Sequence, residues 1–306
     1  MKKCLFTMFL ILSVPHCLLS QEYEMVVEKT DGTKTVFKTS ELSQIYYQKI
    51  ESSENTGTFQ GAKRVFGNNL VKAYGRNDYD RYELTYNDKG FVTAVKRTKY
   101  GSSGSADKVY NFLVTYADDK IICNEFVDGS LYLTMTAYIG SNGYVSRMES
   151  TTGYGCTFTY NEDDMLTSTK NFKLSDESKY ETDSYVYSDG DIVSRYVDGV
   201  LEASIAYQTP SQITPILNTY GMMEYDHGLG IDVDDNYILY WVGGMGKGTK
   251  HLPLAWTHKD SSYTKSNTNT WEMDSQGRVV KLTTNSTYTY SYGDPYTTTY
   301  TFFWEW

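Results

Sequence analysis

Apolar and polar positions alternate along most of this chain in short runs broken by polar turns, and Tyr82-Glu-Leu-Thr-Tyr-Asn-Asp-Lys-Gly-Phe-Val-Thr-Ala-Val95 shows the unit. Tyr82, Leu84 and Tyr86 share a face at period two, Asn87 to Gly90 supply turn chemistry, and Val92 opens a returning strand. This is a β-hairpin. Its signature is an aromatic residue, a polar turn, then an aliphatic residue. It recurs as Phe66 with Leu70 and Val71, Tyr86 with Val92, Tyr116 with Ile122, Tyr138 with Val145, Tyr160 with Leu166, Tyr187 with Val193 and Tyr207 with Ile213. Anchors stand 20 to 30 residues apart, and the longer intervals carry the insertions Gly101-Ser-Ser-Gly-Ser-Ala106 and Leu174-Ser-Asp-Glu-Ser-Lys179. A lone hairpin cannot bury its aromatic face. The pattern therefore predicts an all-β fold, with repeated β-hairpins paired in sequence order into one long curled antiparallel meander sheet.

Other segments depart from the repeat. Glu24 to Glu28 and Lys34 to Lys38 flank Asp31-Gly32, a strong hairpin signal. Ser40-Glu-Leu-Ser-Gln-Ile45 reads as one capped helical turn, and Glu51 to Gln60 as a loop. Proline is absent from 16 to 209, as continuous strand pairing requires, and its return at Pro210, Pro215 and Pro253 brackets a glycine-rich excursion. Within it Tyr237-Ile-Leu-Tyr-Trp-Val242 reads as a strand, and the hairpin pattern resumes at Trp271 to Lys281. The predicted organisation is a signal peptide over 1–20, a leading hairpin and loop over 21–60, tyrosine-hairpin repeats over 61–208, the excursion over 209–268 and C-terminal hairpin repeats over 269–306. Residues 21–306 form a single β domain.

Lys2 and Lys3 before an apolar run from Cys4 to Val14 make the leader a signal peptide, too short to span a bilayer, so the mature chain has no transmembrane segment. His16 before Cys17 disfavours lipidation there. Cleavage moves the formal charge from −10 to −12, because two lysines leave and no acid does. With no basic cluster, nucleic acid is excluded as a partner. Cys123 and Cys156 remain, on hairpins that leave two strands between them. That is about 14 Å in a meander, too far for a disulfide.

Candidate chemistry is sparse. Gly243-Gly-Met-Gly-Lys-Gly-Thr249 lacks the spacing and the following helix of a phosphate loop, since Trp241 stands where a glycine is needed and Pro253 follows closely. Asp232, Asp234 and Asn236 have calcium-loop spacing, but Tyr237 and Gly243 occupy the glycine and glutamate positions. His227, His251 and His258 are not spaced as zinc ligands. No cofactor, metal or catalytic residue is predicted. Thirty tyrosines suit a half-buried sheet face first and a sugar- or protein-binding surface second. Binding is assigned to the excursion, through Tyr240, Trp241, Lys247, Lys250, His251 and Trp256, which combine aromatic surface with hydrogen-bond donors. Capping of a sheet edge by the same segment is the alternative.

Asp274-Ser-Gln-Gly277-Arg278-Val279 resembles the core of the tyrosine-aspartate repeat of Rhs and teneurin shells, with Met273 in place of the tyrosine. Over nearly the whole mature chain, the sequence resembles a family of exported Bacteroidetes proteins of unknown function. The shared features are the Met25 to Thr33 hairpin, the drifting tyrosine hairpins and Gly246-Lys-Gly-Thr-Lys-His-Leu-Pro253. The resemblance implies the β fold and export and assigns no activity. The combined reading is an exported, non-enzymatic binding or interaction protein of the bacterial cell envelope, with a glycan or a cell-surface protein as partner. The alternatives are an outer-membrane β-barrel, suggested by the alternating Tyr300, Phe302, Trp304 and Trp306, and a secreted glycan-active enzyme.

Overall fold

The computed structural model describes residues 24–28, 34–38, 59, 70–76, 79–101, 106–207, 238–259 and 262–306. The chain divides into two units, Met1–Lys49 and Ile50–Trp306. In the first, β1 (Glu24–Glu28) and β2 (Lys34–Lys38) form the expected antiparallel hairpin, with Val26 opposite Val36. The leader, the turn expected at 40–45, most of the 51–60 loop and the 232–236 acidic spacing lie outside the described residues.

The second unit is a closed barrel of sixteen antiparallel strands, each paired with its sequence neighbours. The first nine are β3 (Ala73–Arg76), β4 (Asp80–Tyr86), β5 (Val92–Tyr100), β6 (Ala106–Tyr116), β7 (Lys120–Val127), β8 (Ser130–Ile139), β9 (Val145–Ser150), β10 (Tyr154–Tyr160) and β11 (Leu166–Lys173). The rest are β12 (Lys179–Ser188), β13 (Asp191–Val197), β14 (Val200–Tyr207), β15 (Pro253–Lys259), β16 (Tyr263–Met273), β17 (Val279–Tyr290) and β18 (Tyr296–Glu305). The curled meander goes one step beyond the expectation, because β18 pairs with β3 and removes both free edges. The excursion is also shorter than 209–268: Pro253–Lys259 and Tyr263–Met273 are full barrel strands.

One rule explains the repeat. Four anchors are the cross-strand partner of an aliphatic residue, Tyr86 with Val92, Tyr116 with Ile121, Tyr160 with Leu166 and Tyr187 with Ile192, whereas Tyr207 stands opposite Pro253 and Phe66 lies outside the described residues. Where the turn is one residue shorter, the partner shifts by one, so Ile121 and Ile192 are buried in place of the expected Ile122 and Val193. Tyr138 breaks the rule. A register shift beside it turns its ring outward, and Ile139 packs on the core instead. The anchor hydroxyls then tie hairpin to hairpin: Tyr86 donates to the Val71 carbonyl at 2.7 Å, Tyr116 to Val92 at 2.9 Å, Tyr160 to Val145 at 2.7 Å and Tyr187 to Leu166 at 2.8 Å. Indoles replace hydroxyls at the last two steps, Trp271 Nε1 to Pro253 at 2.9 Å and Trp306 Nε1 to Val279 at 2.7 Å. Burial pushes the Tyr86 and Tyr116 hydroxyls well above the usual phenol range, so these donors stay protonated.

The turns repeat too. At Asn87, Asn161 and Asp274 the side-chain oxygen accepts two backbone N–H groups, from residues two and four positions on. The fourth turn residue sits at positive φ, Gly90 at 82°, Asp164 at 64° and Gly277 at 74°. The segment at 274–279 therefore carries a turn that occurs three times among the described residues.

Inward positions are apolar at this end of the barrel, and the core fills the lumen. Residues 238–242 do not form the expected strand: α1 (Ile238–Trp241) is a single helical turn whose Ile238, Leu239 and Trp241 are buried, as is Val242. A closed barrel offers no strand edge for it to join. α1 instead plugs the lumen, with Trp241 5.5 Å from the Tyr74 ring and 6.0 Å from that of Tyr82. Ile238, Leu239 and Val242 pack on Val114, Ile121, Cys123, Met135 and Ala137 without leaving room for a water molecule. Cys123 on β7 and Cys156 on β10 are buried free thiols with β8 and β9 between them.

Candidate functional site: the tyrosine-lined end of the barrel

The residues expected to bind are dispersed by the fold. After α1 the glycine-rich loop crosses one rim turn by turn: the Val145 N–H donates to the Gly244 carbonyl at 2.8 Å, Lys247 N–H to Asp164 at 2.9 Å and Lys250 N–H to Gly190 at 3.1 Å. Gly246, at φ 77°, has no room for a side chain, since a Cβ there would lie 2.8 Å from the Asp164 carbonyl oxygen and 2.9 Å from the Tyr160 ring. The glycines thus serve close packing. Trp241 is core, and the side chain of Tyr240 lies outside the described residues. Lys247 and Lys250 are exposed at the rim, paired with Asp164 at 3.6 Å and Asp189 at 3.2 Å. His251 is buried, its Nδ1 2.6 Å from Asp191 Oδ2 while its backbone N–H donates to Oδ1 at 2.8 Å. Trp256 alone faces the other half of the lumen. Among the described residues, no group of His, Cys, Asp or Glu is placed to hold a metal ion.

That other half is polar and aromatic. Register places Tyr263, Lys265 and Asn267 of β16, Ser286, Tyr288 and Tyr290 of β17, and Tyr296, Thr298 and Tyr300 of β18 on the lumen side with Trp256 and His258 of β15. The tyrosines form a connected sheet of rings. Tyr263 is 5.8 Å from Tyr290 and 6.1 Å from Tyr288, Tyr288 stacks on Tyr296 at 4.9 Å, and Arg76 of β3 lies 4.6 Å over Tyr300. Tyr290 and Tyr296 are exposed, and depth increases from this rim through the half-buried Tyr288 to the buried Lys265 and Asn267. The Lys265 ammonium sits 5.3 Å over the Trp256 ring and 5.1 Å over that of Tyr288.

Paired charges flank this wall on both sides. Asp80 of β4 meets Arg97 at 2.9 Å, and Asp183 of β12 meets Arg195 at 2.7 Å and Thr169 at 3.1 Å. Burial pushes the Asp183 carboxyl above the usual range against the pull of Arg195, and Glu181 beside it rises through burial and then the Asp183 charge. Burial would lower Arg195, but the Asp183 carboxylate outweighs it and the guanidinium stays charged.

Sequence reasoning missed this tyrosine cluster. Its available signal was β16 and β17, where Lys265, Asn267 and Asn269 occupy three successive inward positions opposite Tyr288, Ser286 and Thr284, in place of the apolar residues of the early hairpins.

No protein-family model and no curated protein matches the chain. Among solved structures it is similar to a porin-like protein from Bacteroides uniformis ATCC 8492, at 15% identity and a TM-score of 0.59, over 77% of this chain and 97% of that one. A porin-like protein from Bacteroides vulgatus ATCC 8482 follows at 13% identity and a TM-score of 0.39, over 77% and 98%. The first likeness shows the fold, shared over nearly the whole of that chain and about three quarters of this one.

Proposed function

We propose that this is an exported binding protein of the bacterial envelope, and that the tyrosine-lined end of its barrel binds a saccharide. One observation carries the reading: five tyrosines, Tyr263, Tyr288, Tyr290, Tyr296 and Tyr300, converge from three adjacent strands on one end of the lumen, graded from exposed to half-buried. Rings with a hydroxyl at the tip offer an apolar face to stack on a pyranose and a polar atom for its hydroxyls. They keep that geometry because the strands beneath them are rigid. A glycan array probed with the mature protein tests this, followed by titration of any hit against Tyr290→Ala/Tyr296→Ala. The double variant is expected to retain the wild-type melting temperature and to lose about tenfold in affinity, for roughly 1.4 kcal/mol of lost stacking. No hit on the array, or an unchanged affinity, rejects the reading.

A bilayer-spanning role is disfavoured by the outer wall. Outward positions include Arg81 and Glu83 on β4, Arg147 and Glu149 on β9, and Lys281 and Asn285 on β17, many in cross-strand ion pairs such as Lys96–Glu83 at 3.3 Å. A spanning barrel needs a continuous apolar belt about 25 Å tall facing lipid.

A further inference from the structure

We infer that the tyrosine end of the barrel seats on a bilayer surface of zwitterionic lipid, with Leu131, Tyr132, Tyr154, Val200, Leu201 and Tyr292 on its hairpin tips dipping into the headgroup layer. This goes beyond the saccharide reading and stands without it; where both hold, the barrel mouth opens onto the headgroups and the saccharide is one that a lipid carries. The two rims are unlike. At the rim crossed by the glycine-rich loop, the exposed turn residues 87–89, 118–119, 161–163, 188–189 and 275–276 are all polar. At the other rim, apolar side chains mark the tips: Leu131 and Tyr132 after the β7–β8 turn, Tyr154 after the β9–β10 turn, Val200 and Leu201 after the β13–β14 turn, and Tyr292 within the β17–β18 turn. Leu131 is 58% exposed, Tyr132 62%, Val200 67% and Tyr292 94%. The large apolar side chains exposed away from this end, Val186, Leu254, Met273 and Phe303, lie on strands, and none exceeds 46%. Scattered surface residues would not sort in this way.

The tips are built to present these residues. β7–β8 and β13–β14 share one construction, a two-residue Asp-Gly turn at positive φ with a leucine two places after the glycine: Asp128 at 48° and Gly129 at 84°, Asp198 at 47° and Gly199 at 81°. Both aspartates turn back on the sheet. Asp128 Oδ1 accepts the Val109 N–H at 3.2 Å, and Asp198 Oδ1 accepts the Thr182 N–H at 3.1 Å and pairs with Lys179. β8 pairs with β9 only from Met135 onward and β14 with β15 only from Ala203, so the apolar tip residues stand clear of the next strand.

Arrangement and charge select the occupant. The apolar residues form separate groups with the polar residues 175–178 of the β11–β12 turn between them, whereas a protein interface needs a contiguous dry core. A fluid headgroup layer takes each tip separately, and tyrosine beside leucine suits it, ring in the apolar layer and hydroxyl in water. The connections at this end over 128–129, 151–153, 174–178, 198–199 and 291–295 hold Asp128, Asp176, Glu177, Asp198 and Asp294 and no lysine or arginine; Lys173 and Lys179 flank the acidic β11–β12 turn. In a chain of net charge −10, acidic turns repel both an anionic bilayer and a second copy of the same rim. A zwitterionic surface avoids that repulsion.

Flotation of the mature chain with phosphatidylcholine vesicles tests the inference. The chain should float with them, float less with vesicles containing phosphatidylglycerol, and hold its binding to phosphatidylcholine as salt is raised. Leu131→Ser/Leu201→Ser should keep the wild-type melting temperature and the affinity for any soluble saccharide, and should lower partitioning by about tenfold or more. Tyr292→Trp, at a site with no packing to lose, should gain an indole emission that moves to shorter wavelength on phosphatidylcholine vesicles and is quenched by brominated lipid. Should the double variant melt early, Tyr292→Trp decides. No flotation with phosphatidylcholine, a folded double variant that partitions like wild type, or binding that needs anionic lipid and fades with salt overturns the inference. So does a lipid-free dimer in sedimentation that the double variant dissolves, which would give the tips to a second copy. Each of these leaves saccharide binding standing, and flotation without any hit on the glycan array rejects the saccharide reading alone.

Discussion

The Tyr160 hydroxyl is held by two carbonyls, Val145 at 2.7 Å and Gly244 at 3.4 Å, and so ties a barrel turn to the loop that crosses it. Tyr160→Phe takes the hydroxyl donor from the Val145 carbonyl at almost unchanged volume, while Gly244 keeps the Val145 N–H. Urea unfolding should show a loss of about 1–2 kcal/mol, against no measurable change for Tyr132→Phe, whose ring is exposed. The turn at 274–278 gives a pH signature. Hydrogen bonds from the Arg278 backbone N–H, then from its side chain, hold Asp274 below the usual carboxylate range. A carboxyl lowered in the folded state stabilises above its unfolded pKa, about 3.9, and loses that contribution as pH falls through the folded value. Asp274→Asn keeps the turn, as Asn87 and Asn161 show in the same role, but not the charge. Wild type should therefore melt above the variant at neutral pH, and the gap should close as pH falls from about 4 downward, which calorimetry across pH 2–7 would follow.

Among the elements, α1 and the loop after it separate core packing from surface pairing within a few residues. Trp241→Ala should cost about 3–5 kcal/mol, since it empties a ring-sized volume between Tyr74 and Tyr82, while Lys247→Ala should cost under about 1 kcal/mol because its pair with Asp164 is exposed. Equal small effects in thermal melts would remove α1 from the core. The same segment shows where sequence reading stops. Period-two tyrosines and the Asn and Asp turns made the hairpins legible, and Trp271 to Lys281 forms the expected one around Asp274. An apolar run of six residues, however, reads alike as a buried strand or a buried helical turn, and only the closed sheet, with no edge to offer, makes 238–241 helical. The tyrosine end was hidden for a different reason. Tyr86 and Tyr288 both face inward, and what separates a core ring from a rim ring is height along the barrel, which depends on strand lengths and bulges that no local pattern encodes.

At the scale of the whole molecule, the barrel closes at one of its two thinnest seams, the other being β9 with β10, also over three residue pairs. β18 meets β3 over three residue pairs, Phe303 with Gly75, Trp304 with Tyr74 and Glu305 with Ala73, whereas β16 and β17 share eleven. Gly75 cannot be exchanged for alanine cheaply, because a Cβ there would stand 2.3 Å from the Asp80 carbonyl oxygen. Outside the seam, Arg81 reaches over it to Glu305 at 2.9 Å, an exposed pair of modest worth. Amide hydrogen exchange should therefore lose protection first along Ala73 to Arg76, well before β16 and β17; uniform protection around the ring would contradict this. Every other strand pairing joins neighbours in the chain, and this one joins residues more than two hundred positions apart. A chain emerging from its N-terminus can zip strand onto strand as it appears, but β3 must keep its outer edge unmatched until the last residues, Phe302 to Glu305, arrive. For that interval two sticky edges face any other copy in the same state, so the time between the appearance of β3 and that of β18, more than the stability of the finished ring, sets how readily this protein is lost to edge-to-edge association.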